Sequence, residues 1–119
     1  LSTCAGTIIL AKSVIDGDTH IPNIDIEIQR NAYGRQNESF EADVKFLNNN
    51  DIYCFIRAPK IIRTLNNDVK VIATQIEDIV GVSQNNIVSL TYHPELTNDN
   101  YYLEWLLAFM KEGKYVGSF

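Results

Sequence analysis

Thr3-Cys4-Ala5-Gly6-Thr7-Ile8-Ile9-Leu10-Ala11 is the stretch that decides the fold. Small residues surround one thiol and an apolar run follows at once. That is the pattern of a tight turn from a strand end into a buried helix, expected here from Ala5 to Val14. A turn of this kind, a nucleophile elbow, sets the sulfur at a helix N-terminus. There the unpaired N–H groups and the positive end of the macrodipole favour the thiolate. Gly6 is expected to keep the approach to the sulfur uncrowded.

Near the other end of the chain, Ile87-Val88-Ser89-Leu90-Thr91-Tyr92 reads as a strand that delivers His93 to its C-terminal edge, where open α/β sheets bind ligands. Pro94 biases His93 toward extended backbone. Residues two apart on an extended segment point the same way, so Glu95 can reach back to the imidazole. Cys4, His93 and Glu95 together supply a nucleophile, a base and an orienting carboxylate. The same three residue types hold zinc in other settings. A Pro-locked His-x-Glu is not a usual structural-zinc pattern, however, and the chain has no C-x-x-C, so no metal is expected.

At 119 residues the chain has room for one modest domain. Its 45% hydrophobic and 21% charged residues are ordinary globular values, which argues against disorder and against a membrane protein. The apolar stretches are too short to span a bilayer and no signal sequence precedes them, so a soluble, cytoplasmic protein without membrane contacts is expected. A net charge of −5 without a Lys/Arg stripe speaks against nucleic acid as a partner. Of the two cysteines, Cys54 lies in the apolar Ile52-Tyr53-Cys54-Phe55-Ile56 and is expected to be buried, which fits a reducing compartment with no structural disulfide. The chain opens at Leu1, directly at the elbow and with no strand leading into it. Residues 1–119 are therefore expected to be the C-terminal portion of a larger domain, from the elbow onward.

Between the two ends, Ile24, Ile26 and Ile28 alternate with Asp25, Glu27 and Gln29, the signature of a half-buried strand. Arg30 falls on the isoleucine parity. Either it meets an anionic ligand there, or parity lapses at the strand end and it is solvated. Phe40, Ala42, Val44 and Phe46 form a second alternating strand, expected to pair antiparallel with the first. Asn48-Asn49-Asn50-Asp51 reads as a turn before the apolar strand that ends at Ile56-Arg57-Ala58-Pro59. Arg57 on this pattern alone is a surface cation at a strand terminus. Segments at 69–73, 79–82 and 87–92 are expected to form a meander. Leu103, Leu106, Leu107 and Met110, widened by Trp105 and Phe109, mark a closing helix capped at Asn98 or Asp99 and ended by Gly113. These elements imply an α/β sandwich with a mostly parallel central sheet, in which the antiparallel pair before and after Arg30 is an excursion.

Four segments occur in one order: Thr3-Cys4-Ala5-Gly6; Arg30-Asn31-Ala32-Tyr33-Gly34-Arg35-Gln36-Asn37-Glu38-Ser39-Phe40-Glu41-Ala42; Phe55-Ile56-Arg57-Ala58-Pro59; and Tyr92-His93-Pro94-Glu95-Leu96. In this the chain resembles the class I glutamine amidotransferases and, through the two middle segments, the branch that forms the glutaminase subunits of pyridoxal 5'-phosphate synthases. The resemblance implies a flavodoxin-like three-layer α/β sandwich, here without its N-terminal strands. It implies hydrolysis of L-glutamine to glutamate and ammonia through a Cys4-His93-Glu95 triad, with the Ala5 N–H as an oxyanion donor. Arg30, Ile56 and Arg57 would bind substrate. No cofactor is implied, and the partner implied is a synthase subunit that takes up the ammonia. Ser2 stands where the family usually has glycine, and the family's Gly-Gly-Glu-Ser loop is not in the chain. Two other readings follow from these departures and from the shared end motifs: an inactive assembly module, and a glutaminase of another amidotransferase branch.

Overall fold

The computed structural model describes residues 1–15, 17–30, 39–47, 49–96 and 104–108. A minimal strand β1 (Ser2–Thr3) runs into helix α1 (Ala5–Leu10), and β2 (Ala11–Ile15) follows without a break. Then come β3 (Ile24–Gln29), β4 (Ser39–Phe46), β5 (Asn49–Ile56), β6 (Lys60–Thr64), β7 (Lys70–Gln75), β8 (Asp78–Gln84) and β9 (Ile87–Leu90). A 3-10 turn spans Pro94–Leu96, and residues 104–108 are helical.

The expected helix to Val14 stops at Leu10. Ala11 takes extended backbone while its N–H still bonds the Ile8 carbonyl, and the chain continues as a strand with Ala11 opposite Ile24. Alternation places β3 and β4 correctly, whereas β6 has no counterpart in the sequence reading. In β3 all three isoleucines are fully buried between half-exposed polar residues, and β4 buries Val44 and Phe46 at its C-terminal end.

Among the described residues the sheet has nine strands in the order β2-β3-β6-β8-β7-β4-β5, with β9 joined to β8 and β1 joined to β9. Strand β8 is the branch point: Ile79 faces Ile61 of β6, while Gly81 to Gln84 face Leu90 to Ile87 of β9. Two expectations fail here. Among the described residues only β1·β9 and β2·β3 are parallel and the other pairings are antiparallel, so this part of the sheet is not mostly parallel. Nor do β3 and β4 pair. Strand β4 instead closes a tight hairpin with β5, Phe46 opposite Asn49, and its other edge meets β7. A short hairpin loop costs less closure entropy than a longer connection, so the local partner wins. It follows that Asn49, Asn50 and Asp51, expected in a turn, are strand residues, and Leu47 takes the left-handed conformation (φ 57°) that turns the chain. The meander β7-β8-β9 forms as expected.

The core is in two parts. One is aromatic, with Phe46, Tyr53, Phe55, Tyr92 and Trp105; the other is aliphatic, with Ile24, Ile26, Ile28, Ile61 and Val82. Helix α1 sends Ile8 and Leu10 toward the aliphatic part, whereas Trp105 of the second helix packs edge-on against Phe46 at 5.2 Å in the aromatic part. Leu106 joins the aromatic part, but Leu107, expected on the apolar face, is 59% exposed. Leu103, Phe109, Met110, the caps at Asn98, Asp99 and Gly113, and the segment 31–38 lie outside the described residues.

Strand β8 is buried from Val80 to Gln84, so both of its faces are covered along that stretch. A side chain at Gly81 has no room, because a Cβ would come within 2.8 Å of both Ala73 Cβ and Leu90 Cδ2. At its far end Gln84 binds Asp25 twice, accepting from the backbone N–H and donating to the carboxylate, both at 2.8 Å. Asn66 donates to the same carboxylate at 3.3 Å and Lys12 stands 3.7 Å away. The Gln84 hydrogen bond first, then Lys12 and Asn66, hold Asp25 below the usual carboxylate range against an opposing desolvation effect.

Candidate active site

Cys4 ends the short lead strand and caps α1. Its backbone lies at φ 49° and ψ −111°, in a region that L residues avoid. Three backbone hydrogen bonds hold it there: its N–H donates to the Leu90 carbonyl at 2.9 Å, and its own carbonyl accepts from Thr7 at 3.1 Å and Ile8 at 3.4 Å. The tight strand-to-helix turn read from the small residues is therefore real, and it is strained. A Cβ at Gly6 would meet Ser2 Cβ at 3.4 Å, an ordinary van der Waals contact.

The thiol donates to the Ile56 carbonyl at 3.4 Å, which brings the elbow to the C-terminal end of β5. His93 arrives at the same strand. Its N–H donates to the Cys54 carbonyl at 2.9 Å, forming an antiparallel bridge two residues before Ile56. Beyond it the chain turns at Pro94–Leu96, and Glu95 reaches back so that Oε2 lies 2.9 Å from His93 Nδ1. The pairing inferred from Pro94 and two-residue spacing is present, although a 3-10 turn and not extended backbone produces it. A carboxylate at Nδ1 accepts a hydrogen bond from the N–H of that nitrogen, which keeps the proton there and leaves Nε2 of the neutral ring as the free base.

The sheet's register brings the two arginines to this end as well. Arg57 follows β5 directly, with left-handed backbone (φ 47°) and an exposed side chain. Ala58 and Pro59 are buried and lead into β6, whose first residue Lys60 pairs with Gln29, the residue before Arg30. Arg30 is exposed, and its side chain passes Gly17, where a Cβ would lie 3.3 Å from Arg30 Cδ. Ile56 is 38% exposed, high for an isoleucine beside a thiol and open to a ligand. Cys54 is half-buried, not buried as expected, with its sulfur 4.0 Å from Glu41 Oε1. Among the described residues no three His, Cys, Asp or Glu side chains gather in a way that holds a metal ion, and no helix is long and apolar enough to cross a membrane.

Sequence reasoning missed the buried hydroxyls around the elbow. Ser2 is hydrogen-bonded to both Thr7 and Ser89, and Thr7 donates to the Leu90 carbonyl. The available signal was a hydroxyl interrupting each of two apolar runs, Thr7 before Ile8-Ile9 and Ser89 between Val88 and Leu90. A polar group inside a core strand needs a partner.

A strained cysteine at a strand-to-helix turn and a histidine–carboxylate pair thus meet the same strand, β5, in an α/β fold. A solved structure described as a glutamine amidotransferase matches this fold with a TM-score of 0.81 at 35% identity, covering 92% of this chain and 59% of that one. The fold is accordingly the flavodoxin-like α/β sandwich of class I glutamine amidotransferases. Residues 1–112 match the model of the SNO glutamine amidotransferase family, and the chain belongs to that family. Similar proteins include the pyridoxal 5'-phosphate synthase subunit PdxT of Thermococcus onnurineus, 46% identical over 112 residues that cover 90% of this chain and 57% of the relative. The subunit of the same name from Geobacillus thermodenitrificans is 40% identical over 119 residues, covering 98% of this chain and 60% of the relative. The chain thus spans somewhat over half the length of the curated relatives it matches.

Proposed function

We propose that this chain carries the nucleophile, base and acid of a glutaminase that supplies ammonia to a pyridoxal 5'-phosphate synthase. The observation that carries the reading is the convergence on β5: the Cys4 thiol on the Ile56 carbonyl, and His93, already paired with Glu95, on the Cys54 carbonyl. Family membership and the relatives' description as pyridoxal 5'-phosphate synthase subunits support the substrate and the destination of the ammonia.

Cys4 Sγ attacks the side-chain carboxamide carbon of L-glutamine, and the carbonyl π electrons move onto oxygen, where the Ala5 N–H at the start of α1 donates to the oxyanion. His93 takes the thiol proton at Nε2 and passes it to the departing nitrogen, so the C–N bond breaks as ammonia leaves and a γ-glutamyl thioester remains. The same nitrogen then takes a proton from water. Hydroxide adds to the thioester, and collapse releases glutamate and restores the thiol. Glu95 holds the ring through Nδ1 in both halves and stabilises the imidazolium that forms in each. Arg30 and Arg57 offer guanidinium forks to the α-carboxylate, and Ile56 forms the wall beside the thiol. No step calls for a cofactor. The partner is a synthase subunit in a hetero-oligomer, in a soluble, cytoplasmic setting.

Ammonia release from glutamine, measured on the protein with its synthase partner, tests this reading. Cys4→Ala is expected to abolish release, and undiminished release from that variant would remove Cys4 from the role. Co-purification with a nucleotide-pathway or histidine-pathway synthase in place of a pyridoxal phosphate one would overturn the destination.

A further inference from the structure

A chain of buried oxygens crosses the elbow. Ser89 Oγ lies 2.6 Å from Ser2 Oγ, Ser2 Oγ lies 3.2 Å from Thr7 Oγ1, and Thr7 Oγ1 donates to the Leu90 carbonyl at 2.7 Å. Thr7 and Ser89 are fully buried and Ser2 is 9% exposed. Each hydroxyl has one proton to give. Thr7 gives its proton to Leu90, so Ser2 donates to Thr7 and Ser89 donates to Ser2. The direction is single: Ser89 to Ser2 to Thr7 to the Leu90 carbonyl. In a low-dielectric interior each link of such a chain polarises the next.

The chain straddles the nucleophile. Ser2 precedes Cys4 and Thr7 follows it, and the Leu90 carbonyl that ends the chain also accepts the Cys4 N–H at 2.9 Å. Ser89 and Leu90 belong to β9, opposite Ser2 and Thr3, and β9 leads to His93. Left-handed strain at Cys4 persists only where the surroundings over-determine it. A glycine at position 2 leaves Thr7 and Ser89 without their shared partner.

We propose that this hydroxyl chain is the clamp that holds the Cys4 elbow in its strained conformation against β9, making Ser2, Thr7 and Ser89 positioning residues for the thiol. Its kinetic readout rests on the glutaminase reading; its chemical readout does not. The test uses Ser2→Gly and the isosteric Thr7→Val, with Thr7→Ser as the conservative rescue and Ser13→Ala as a hydroxyl deletion elsewhere. Steady-state glutaminase kinetics are measured on the protein with its synthase partner. The rate of iodoacetamide alkylation at Cys4 is read by peptide mass. Ser2→Gly and Thr7→Val are expected to lower kcat by about 10- to 100-fold with KM within about twofold. Their Cys4 alkylation should slow in parallel, whereas an unfolded chain alkylates faster. Thr7→Ser and Ser13→Ala should stay near the parent. Parent-like kcat and alkylation in both Ser2→Gly and Thr7→Val, or a Thr7→Ser as impaired as Thr7→Val, would overturn the clamp. Ser2→Gly, the milder change, decides if Thr7→Val alone unfolds. If the parent protein turns over no glutamine, the glutaminase reading fails and the alkylation rates alone decide the clamp.

Discussion

Cys4 is held at φ 49° and ψ −111°, a conformation that costs a non-glycine residue about 1–3 kcal/mol. The hydrogen bonds that Cys4 donates to Leu90 and accepts from Thr7 and Ile8 oppose that cost, and in return the sulfur is presented beside β5. Glu95 acts through a single 2.9 Å contact with His93 Nδ1. Glu95→Gln keeps the shape, but its amide can donate to Nδ1 and stabilise the tautomer that carries its proton on Nε2, where the base is needed. A fall in kcat of about 10²-fold or more with KM little changed is expected, measured by ammonia release. Equal kcat for the variant and the parent would show that Glu95 does not orient the base. At this scale the turn at Cys4 and the His93–Glu95 contact were legible because each lies in a short motif whose local geometry is dictated by its neighbours. Ser2, Thr7 and Ser89 were not, because their partners are 87 residues apart in the chain for one pair and 83 for the Thr7–Leu90 bond.

At the level of elements, Gly81 and Ile76 show what the strand pattern alone did not. Gly81 lets Ala73 and Leu90 close on β8 from both neighbouring strands. Gly81→Ala is expected to destabilise by about 1–3 kcal/mol through overpacking, measured by urea unfolding; an unchanged midpoint would contradict the close fit. Ile76, in the turn between β7 and β8, is left-handed (φ 56°) and 92% exposed, so a β-branched residue bears steric strain without gaining burial. Ile76→Gly is expected to raise the unfolding free energy by about 1 kcal/mol, and a loss of stability would refute the strain. Period-two alternation identified β3 and β4, and short β-rich runs the meander. It could not choose partners, because the same Ile24-Asp25-Ile26 face suits any neighbour. The pairing of β4 with β5 in place of β3 was settled by the tight turn at Leu47, a residue with no turn signature of its own. The end of the first helix was hidden for a similar reason: Ala11 and Lys12 suit either state, and their pairing with β3 decides for strand.

For the whole molecule, Asp25 ties four parts of the chain together through Lys12, its own strand β3, Asn66 and Gln84. Its folded pKa lies below the unfolded value, so the folded state binds this proton less readily. The resulting stability is present above the ordinary aspartate range and is lost as pH falls through the lower folded value. Urea midpoints measured from pH 6 down to about 2 should therefore drop more steeply for the parent than for Asp25→Asn. Parallel curves would show that Asp25 contributes nothing to acid sensitivity. The α/β class was legible from the elbow, the strand that delivers His93 and the closing helix. The largely antiparallel pairing of the described strands was not, since strand direction depends on connections that no local pattern encodes.

The central claim is that Cys4 forms a covalent bond to substrate. Acid-quenched protein mixed with glutamine, digested and weighed by mass spectrometry, tests it most directly. The expected result is a γ-glutamyl group on the peptide containing Cys4 that disappears with His93→Ala. Steady ammonia release with that peptide never acylated, or acylation at Cys54 instead, would contradict it.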